Sequence, residues 1–348
     1  MLSIKRFLPY FTSFILFVLA GLAFQGSGWW CWIPLLFSFG FIPVAEFLAK
    51  PDSKNSDPNE EENLKNNRLF DVILYAACCF HFLLLTMFLS NISNWSHPVD
   101  LAGRIISMGI LCGVFGINLA HELGHRSNKF ERFLSKSLLL TSLYMHFYIE
   151  HNKGHHANVS TPEDPASARL GESIFSFWFR SVTEGYFNAW HIASRDAEKT
   201  GQKFHRFVNE MMLFQIIQII FLIVVWSFFG IQALVGFIIA AIIGALLLES
   251  VNYIEHYGLS RKPTEGGRYE RVQPHHSWNS DHILGRWMLF ELSRHSDHHY
   301  LASRKYQILR SMEAAPQMPT GYPGMILLAM VPPVWFRVMN NRIREYQN

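Results

Sequence analysis

Residues 7–24, 29–49, 72–90, 208–229 and 231–248 form long stretches almost free of charge. About 20 apolar residues at 1.5 Å rise cross the hydrocarbon core of a bilayer, where every backbone polar group must be satisfied internally. Repeated along 348 residues, such runs restrict the fold to a helical membrane protein. Composition agrees, with 50% of residues hydrophobic and 16% charged, against about 25% charged in an ordinary soluble domain. Adding the apolar segment before His121, six spans are expected at about 7–25, 29–49, 71–91, 101–120, 208–229 and 231–251. No flexible linker or internal repeat divides the chain, so residues 1–348 read as one domain. The expected fold is all-α: a polytopic six-helix transmembrane bundle with a histidine-rich cap from 121–207 and 252–348.

Charge sets the orientation. With both termini cytoplasmic, the outside segments 26–28, 92–100 and the turn at Gly230 contain none of the 30 Lys and Arg residues, and the nearest is Arg104. Lys5 and Arg6 before an apolar run ending in Gly21, Leu22 and Ala23 also resemble a signal peptide, but the length of the run and the spans that follow favour a retained helix. Residues 50–68 read as a solvated inside loop, 174–190 as a helix lying in the interface, and 324–336 as an apolar stretch docked on the membrane face. The cysteines Cys31, Cys78, Cys79 and Cys112 stand in apolar runs without a C-x-x-C pair, which excludes a disulfide framework, a zinc ribbon and an iron–thiolate site. A net charge of +3 with scattered basic residues argues against nucleic acid as a partner.

Nine of the 17 histidines cluster. His121 and His125 stand in HELGH, His151, His155 and His156 in HNKGHH, His256 in NYIEHYG, and His295, His298 and His299 in RHSDHH. Spacings of three and four put imidazoles on one helical face, where two reach one metal ion. All four groups fall at or beyond helix ends on the cytoplasmic side. Nine imidazoles exceed the six positions of an octahedral ion, so at least two metals are implied if most coordinate. Imidazole accepts zinc, copper, iron or nickel alike. His81, His97, His146, His191 and His205 are isolated and read as ordinary interfacial histidines.

Two other classes compete. HELGH matches the H-E-x-x-H zinc hydrolase pattern, with Glu122 as general base; such a site needs one further ligand and leaves seven clustered histidines unexplained. A metal transporter would line its path with carboxylates, which the spans almost lack.

The segments HELGHR (121–126), EHNKGHH through TPEDPASAR to 169, NYIEHYGL (252–259), PHHSWNSDH (274–282) and RHSDHH (294–299) resemble the integral-membrane alkane 1-monooxygenases over about residues 29–340. The three histidine boxes alone resemble the wider group of membrane di-iron desaturases and hydroxylases; NYIEHYGL and HSWNSDH narrow the likeness to alkane hydroxylases and their xylene monooxygenase relatives. The resemblance implies a cytoplasmic-facing non-haem di-iron centre in a bacterial inner membrane. It implies terminal hydroxylation of n-alkanes using O2, with electrons from rubredoxin and rubredoxin reductase. Aromatic methyl groups or fatty acyl chains are the alternative substrates within this group.

On this resemblance His121, His125, His151, His155, His156, His256, His295, His298 and His299 are the expected ligands of two iron ions. Glu122, Glu150, Glu255 and Asp297 each neighbour a ligand and are expected to accept imidazole N–H bonds. His275, His276 and His282 receive no ligand role. Pro34, Ser38, Phe41 and Ala45 recur at helical spacing, which places Ser38 and Phe41 on the expected substrate channel. Aligned on Pro43, Ser38 falls where medium-chain members resemble one another in having a large aromatic. Gly109, Gly113 and Gly116 read as close helix packing, or as volume left beside the metals. Arg126, Lys129, Arg132, Lys136 and Lys153 read as a basic face for an acidic electron carrier.

Overall fold

A computed structural model describes residues 6–94, 97–201 and 208–347; His205 and Lys5 lie outside the described residues. Four helices have the length and hydropathy of single membrane spans: α1 (Leu8–Gln25), α2 (Gly28–Leu48), α4 (Leu69–Asn94) and α5 (Pro98–Gly124). The short α3 (Pro58–Asn66) precedes α4. A fifth apolar helix, α9 (Glu210–His256), runs for 47 residues, about 70 Å if straight, more than twice the hydrocarbon thickness. It is folded in two. Gly230 takes φ +84°, a conformation that suits a residue without Cβ, and the rings of Phe221 and Phe237 on the two arms meet at 5.5 Å. The two arms match the two spans expected on either side of Gly230.

Between the spans lie α6 (Lys129–Leu140), α7 (147–158) and α8 (Ile174–Lys199). After α9 come α10 (Ile283–Met288), α11 (His295–Tyr300), α12 (Tyr322–Ala329) and α13 (Pro332–Gln347). Ser173 caps α8, accepting from the Ser176 amide at 3.2 Å. This helix buries Phe177, Ser181, Gly185 and Ala189 while exposing Phe175, Phe179 and Phe187, as a helix lying in an interface does. The 324–336 stretch forms α12 and the start of α13 and packs on the end of α9, with Trp335 buried against Tyr253 at 5.1 Å. The 50–68 segment departs from a plain loop. Asp57 accepts from the Asn59 amide (2.8 Å), Pro58 opens α3 and Glu60 and Glu61 occupy its first turn, a set of helix-start signals that outweighs the segment's polarity.

Small residues let α5 and the second arm of α9 approach closely. A Cβ on Gly109 would fall 2.5 Å from Ile243, one on Gly113 2.7 Å from Leu247, and one on Gly244 2.5 Å from Cys112. Arg104, the one lysine or arginine within α5, bonds the carbonyls of Ala23 and Gly26 at the end of α1, where helix carbonyls have no intrahelical donor. Cys31, Cys78 and Cys112 are buried, whereas Cys79 faces outward.

Candidate metal centre

The ligand-bearing elements end together. α5 carries His121 and leads to His125, α7 carries His151, His155 and His156, α9 ends on His256, and α11 carries His295, His298 and His299. Their nitrogens form two groups, each with all ligand atoms within 4.8 Å of one another: His121, His125, His151, His156 and His298 in one, His155, His256, His295 and His299 in the other. All nine sequence-predicted histidines are brought in, and among the described residues the isolated His81, His97, His146 and His191 are not.

Within the first group Nε2 atoms meet for His121 and His298 (2.9 Å), His298 and His156 (3.1 Å), His156 and His151 (3.0 Å), and His151 and His125 (3.2 Å). In the second they meet for His155 and His299 (3.2 Å), His299 and His295 (2.9 Å), and His295 and His256 (3.2 Å). A ring nitrogen holds either one proton or one in-plane lone pair and so serves one hydrogen bond. His298, His156, His151, His299 and His295 each stand in two such contacts, which hydrogen bonding cannot satisfy. Metal–nitrogen bonds of roughly 2.1 Å at right angles place neighbouring ligands about 3.0 Å apart, and that is the spacing found. The donor set therefore fits two metal ions.

Helix geometry explains the split. Consecutive histidines point about 100° apart on a helix, so His155 and His156 serve different groups, as do His298 and His299. Spacing four pairs His121 with His125 and His295 with His299. In HNKGHH the expectation of shared faces at spacing four fails: residues Glu150–His155 form a π turn. The wider turn aligns positions five apart, and His151 joins His156 rather than His155.

Burial favours the neutral form, the one that binds metal, in most of these rings. It drives His125 down to about 3 and pushes His151, His156, His295, His298 and His299 well below the ordinary histidine range. Burial depresses His155 too, but Asp164 outweighs it and the net direction is upward. Asp164 Oδ2 lies 2.9 Å from His155 Nδ1 and also accepts from the Ser167 hydroxyl at 2.6 Å. Sequence reasoning missed this residue; its signal was the PEDPAS stretch after the second box.

The four expected carboxylates behave differently. Glu255 Oε2 lies 3.1 Å from His295 Nε2 while Oε1 accepts from the Tyr322 hydroxyl at 2.6 Å. Glu122 accepts from Arg126 Nε (3.0 Å) and the Tyr306 amide (3.3 Å), so it ties α5 to the 300s segment and orients no imidazole. Asp297 is likewise a correction. Arg304 Nη1 (2.6 Å) and the Arg310 amide (2.8 Å) take its oxygens, because its position on α11 faces the returning chain. Glu150 is buried, with Oε1 accepting from Asn188 Nδ2 at 3.3 Å, so it is neither solvated nor bonded to a ring. The remaining trio Glu270, His275 and His276 does not suit a metal: His276 Nδ1 accepts from the Gln273 amide (3.0 Å), which leaves Nε2 protonated and 3.4 Å from Glu270.

An apolar cavity reaches the surroundings of the centre, since its lining residue Tyr322 bonds Glu255, which stands beside His295. Asn118, Val251 and Leu292, each within a few residues of a histidine ligand, line its near end, and Leu16, Ser38 and Ile110 line it further along. Ser38 is buried with its hydroxyl unpartnered among the described residues. Phe41 is not in the wall: it is 57% exposed and stacks on Phe37 at 5.5 Å. Residues Phe37–Phe41 form a π turn, which moves the buried stripe to Pro34, Ser38, Ile42 and Glu46. The expected basic face is largely neutralised. Arg126 pairs with Glu122 and Asp71, Lys136 with Glu210 (2.6 Å) and Lys153 with Asp196 (2.5 Å).

Comparison with known proteins agrees with this arrangement. The fatty acid desaturase family model matches residues 95–329. An alkane 1-monooxygenase of Ectopseudomonas oleovorans is 39% identical over 329 residues, covering 92% of this chain and 80% of its own. Alkane 1-monooxygenase 2 of Alcanivorax borkumensis is 37% identical over 320 residues, with 91% and 84% covered. The xylene/toluene monooxygenase hydroxylase component of Pseudomonas putida is more distant, at 29% over 245 residues, 70% of this chain and 64% of its own. Spans, paired imidazole sets and these likenesses together make the chain a multi-pass membrane protein that belongs to the fatty acid desaturase family, and within it to the alkane 1-monooxygenases.

Proposed function

We propose that this chain, acting as a single membrane domain, hydroxylates the terminal carbon of n-alkanes to primary alcohols. O2 is the oxidant, and rubredoxin, recharged by rubredoxin reductase, is the electron donor. The observation that carries the reading is the pair of imidazole sets, of five and four nitrogens, with an apolar cavity linked to the second of them through Tyr322 and Glu255. His121, His125, His151, His156 and His298 hold one non-haem iron, and His155, His256, His295 and His299 hold the other. Iron supplies the redox chemistry that an unactivated C–H bond demands, which zinc does not.

The protein's part is placement. An alkane offers no polar handle, so Leu16, Ile110, Val114 and Leu247 hold it by apolar burial, at roughly 0.8 kcal/mol per methylene. Asp164 fixes the orientation of His155, and Glu255 stands beside His295. The distribution of Lys and Arg supports an inner-membrane protein with cytoplasmic termini and a centre facing the cytoplasm. Lys129 and Arg132 are the residues of the expected basic face left to meet an acidic carrier, a weaker attraction than five free charges would exert.

Metal analysis with an octane assay tests the reading. Purified protein should carry about two irons per chain and convert octane to 1-octanol only with rubredoxin and its reductase present. His256→Ala should lose about half the iron and all turnover, because the four-nitrogen set has no spare ligand. Native zinc with peptide cleavage, or wild-type turnover in His256→Ala, would defeat it.

A further inference from the structure

Hydroxylation as proposed above follows R–CH3 + O2 + 2 e⁻ + 2 H⁺ → R–CH2OH + H2O. One oxygen atom enters the C–H bond and the other leaves as water. Two electrons come from the iron–thiolate carrier, and two protons must reach a buried centre whose alkane side is apolar.

A second cavity, sharing no lining residue with the first, touches His151. Its wall is polar: Tyr144, His146, Glu150, Ser181, Glu249 and Asn252 all contribute. It has room for about one water molecule, and polar partners enough to hold it. Glu249 is its least expected member, a carboxyl 4% exposed on the second arm of α9, two turns before His256 and directly after the apolar run 245–248.

Only neutral donors hold that carboxyl. Tyr144 Oη donates to Oε1 at 2.8 Å, while the Ser181 hydroxyl and Asn252 Nδ2 (3.3 Å) donate to Oε2. The titratable groups facing this space are Tyr144 and His146 from the segment before α7, and Glu150, His151 and His155 from α7 itself. Asp164 stands behind His155, and α8 contributes Ser181 and Gly185. No lysine or arginine pairs with Glu249 among these residues. An acid kept inside a membrane protein without a cation is costly, and such residues typically mark proton relays.

We propose that Glu249 is the proton-relay residue of the hydroxylation. It passes its proton through the cavity water to the centre beside His151 and regains one from the aqueous side, twice per turnover. The two cavities thus divide the traffic, alkane through one and protons through the other. The proposal rests on the monooxygenase reading, and its test separates the two.

Glu249→Gln, Glu249→Asp and Tyr144→Phe would be purified with iron and assayed on octane with rubredoxin and its reductase. Glu249→Gln keeps the size of the side chain and one accepting oxygen but carries no ionisable carboxyl proton. It should retain wild-type iron and octane KM while turnover falls about 100-fold, the scale of a lost proton-transfer group. Glu249→Asp should restore part of the rate with a displaced pH profile, and Tyr144→Phe should displace the profile without loss of iron. Infrared spectra of the metal-free proteins give a readout independent of turnover. Wild type should show a buried carboxylic acid C=O band that shifts in D2O and bleaches as pH rises, and Glu249→Gln should lack it. Turnover of Glu249→Gln within twofold of wild type, loss of iron in both Glu249 variants, or absence of the band would overturn the relay. A wild-type protein that makes no octanol would overturn the monooxygenase reading instead.

Discussion

Replacing Ser38 by tryptophan should shorten the alkanes that the protein accepts, by an amount the packing of α2 on α5 sets. Ser107 Oγ donates to the Cys31 carbonyl at 3.0 Å, and Gly103 packs on the same residue, so the two helices run in register there. Seven residues later Ser38 is level with about residue 112 of α5, some nine residues and roughly 13 Å from His121. With C–C bonds of about 1.5 Å, an extended chain advances roughly 1.3 Å per carbon, so an indole at 38 stops an alkane near ten carbons. Each methylene kept out forfeits roughly 0.8 kcal/mol. Excluding four of them, the difference between decane and tetradecane, costs about 3 kcal/mol, roughly a 200-fold change in their kcat/KM ratio. The assay is competition between decane and tetradecane with alcohols quantified by gas chromatography, alongside iron analysis. Ser38→Ala is the control: it removes a buried hydroxyl without a partner and should leave both profile and stability unchanged. A Ser38→Trp protein with full iron and a ratio within threefold of wild type would show that this wall does not limit the chain.

Arg126→Ala leaves Glu122 buried without its cation and should lower stability by about 3–5 kcal/mol, read as earlier thermal unfolding with iron loss; Arg126→Lys should recover only part. In Gly109→Ala the new Cβ meets Ile243 at 2.5 Å and the Ala240 carbonyl at 3.2 Å. Separating α5 from α9 should cost about 1–3 kcal/mol, visible as a lower Tm. Glu172, gripped by Arg180 through bonds of 2.7 Å to each oxygen, gives a pH signature. Burial works to raise this carboxyl, but the guanidinium outweighs it and the net direction is down. A depressed carboxyl stabilises the fold above its unfolded value near 4.3 and loses that contribution as pH falls through the lower folded value. The Tm gap between wild type and Glu172→Gln should therefore be widest near neutrality and close below about pH 4. An unchanged gap at acid pH would refute it.

Much was legible because it depends on composition and short spacing alone. Uncharged runs of span length admit only membrane helices, Gly230 marks the reversal inside the longest of them, and four histidine clusters at helix ends converge whatever the details of packing. The partition of imidazoles was legible where the helix is regular, as for His121 with His125, and illegible at HNKGHH, where a π turn exchanges His155 for His156. Phe41 was misread for the same reason, since one wide turn in α2 rotates everything after it.

Carboxylates were the least legible. Adjacency to a ligand in sequence placed Glu122 and Asp297 beside imidazoles, yet a side chain bonds whatever its helix face meets, and theirs meet Arg126 and Arg304. Asp164 reaches His155 from a loop nine residues away, and Glu249 faces Tyr144 and Ser181 from two other segments. Sequence alone determined the solvent, the helices and the histidines that cluster, because hydrophobic run length and local periodicity are one-dimensional properties. Only the tertiary structure decided which imidazole joins which group, where the apolar cavity runs and which acids lie beside the groups, because those depend on helix register and on contacts between segments 30 to 280 residues apart.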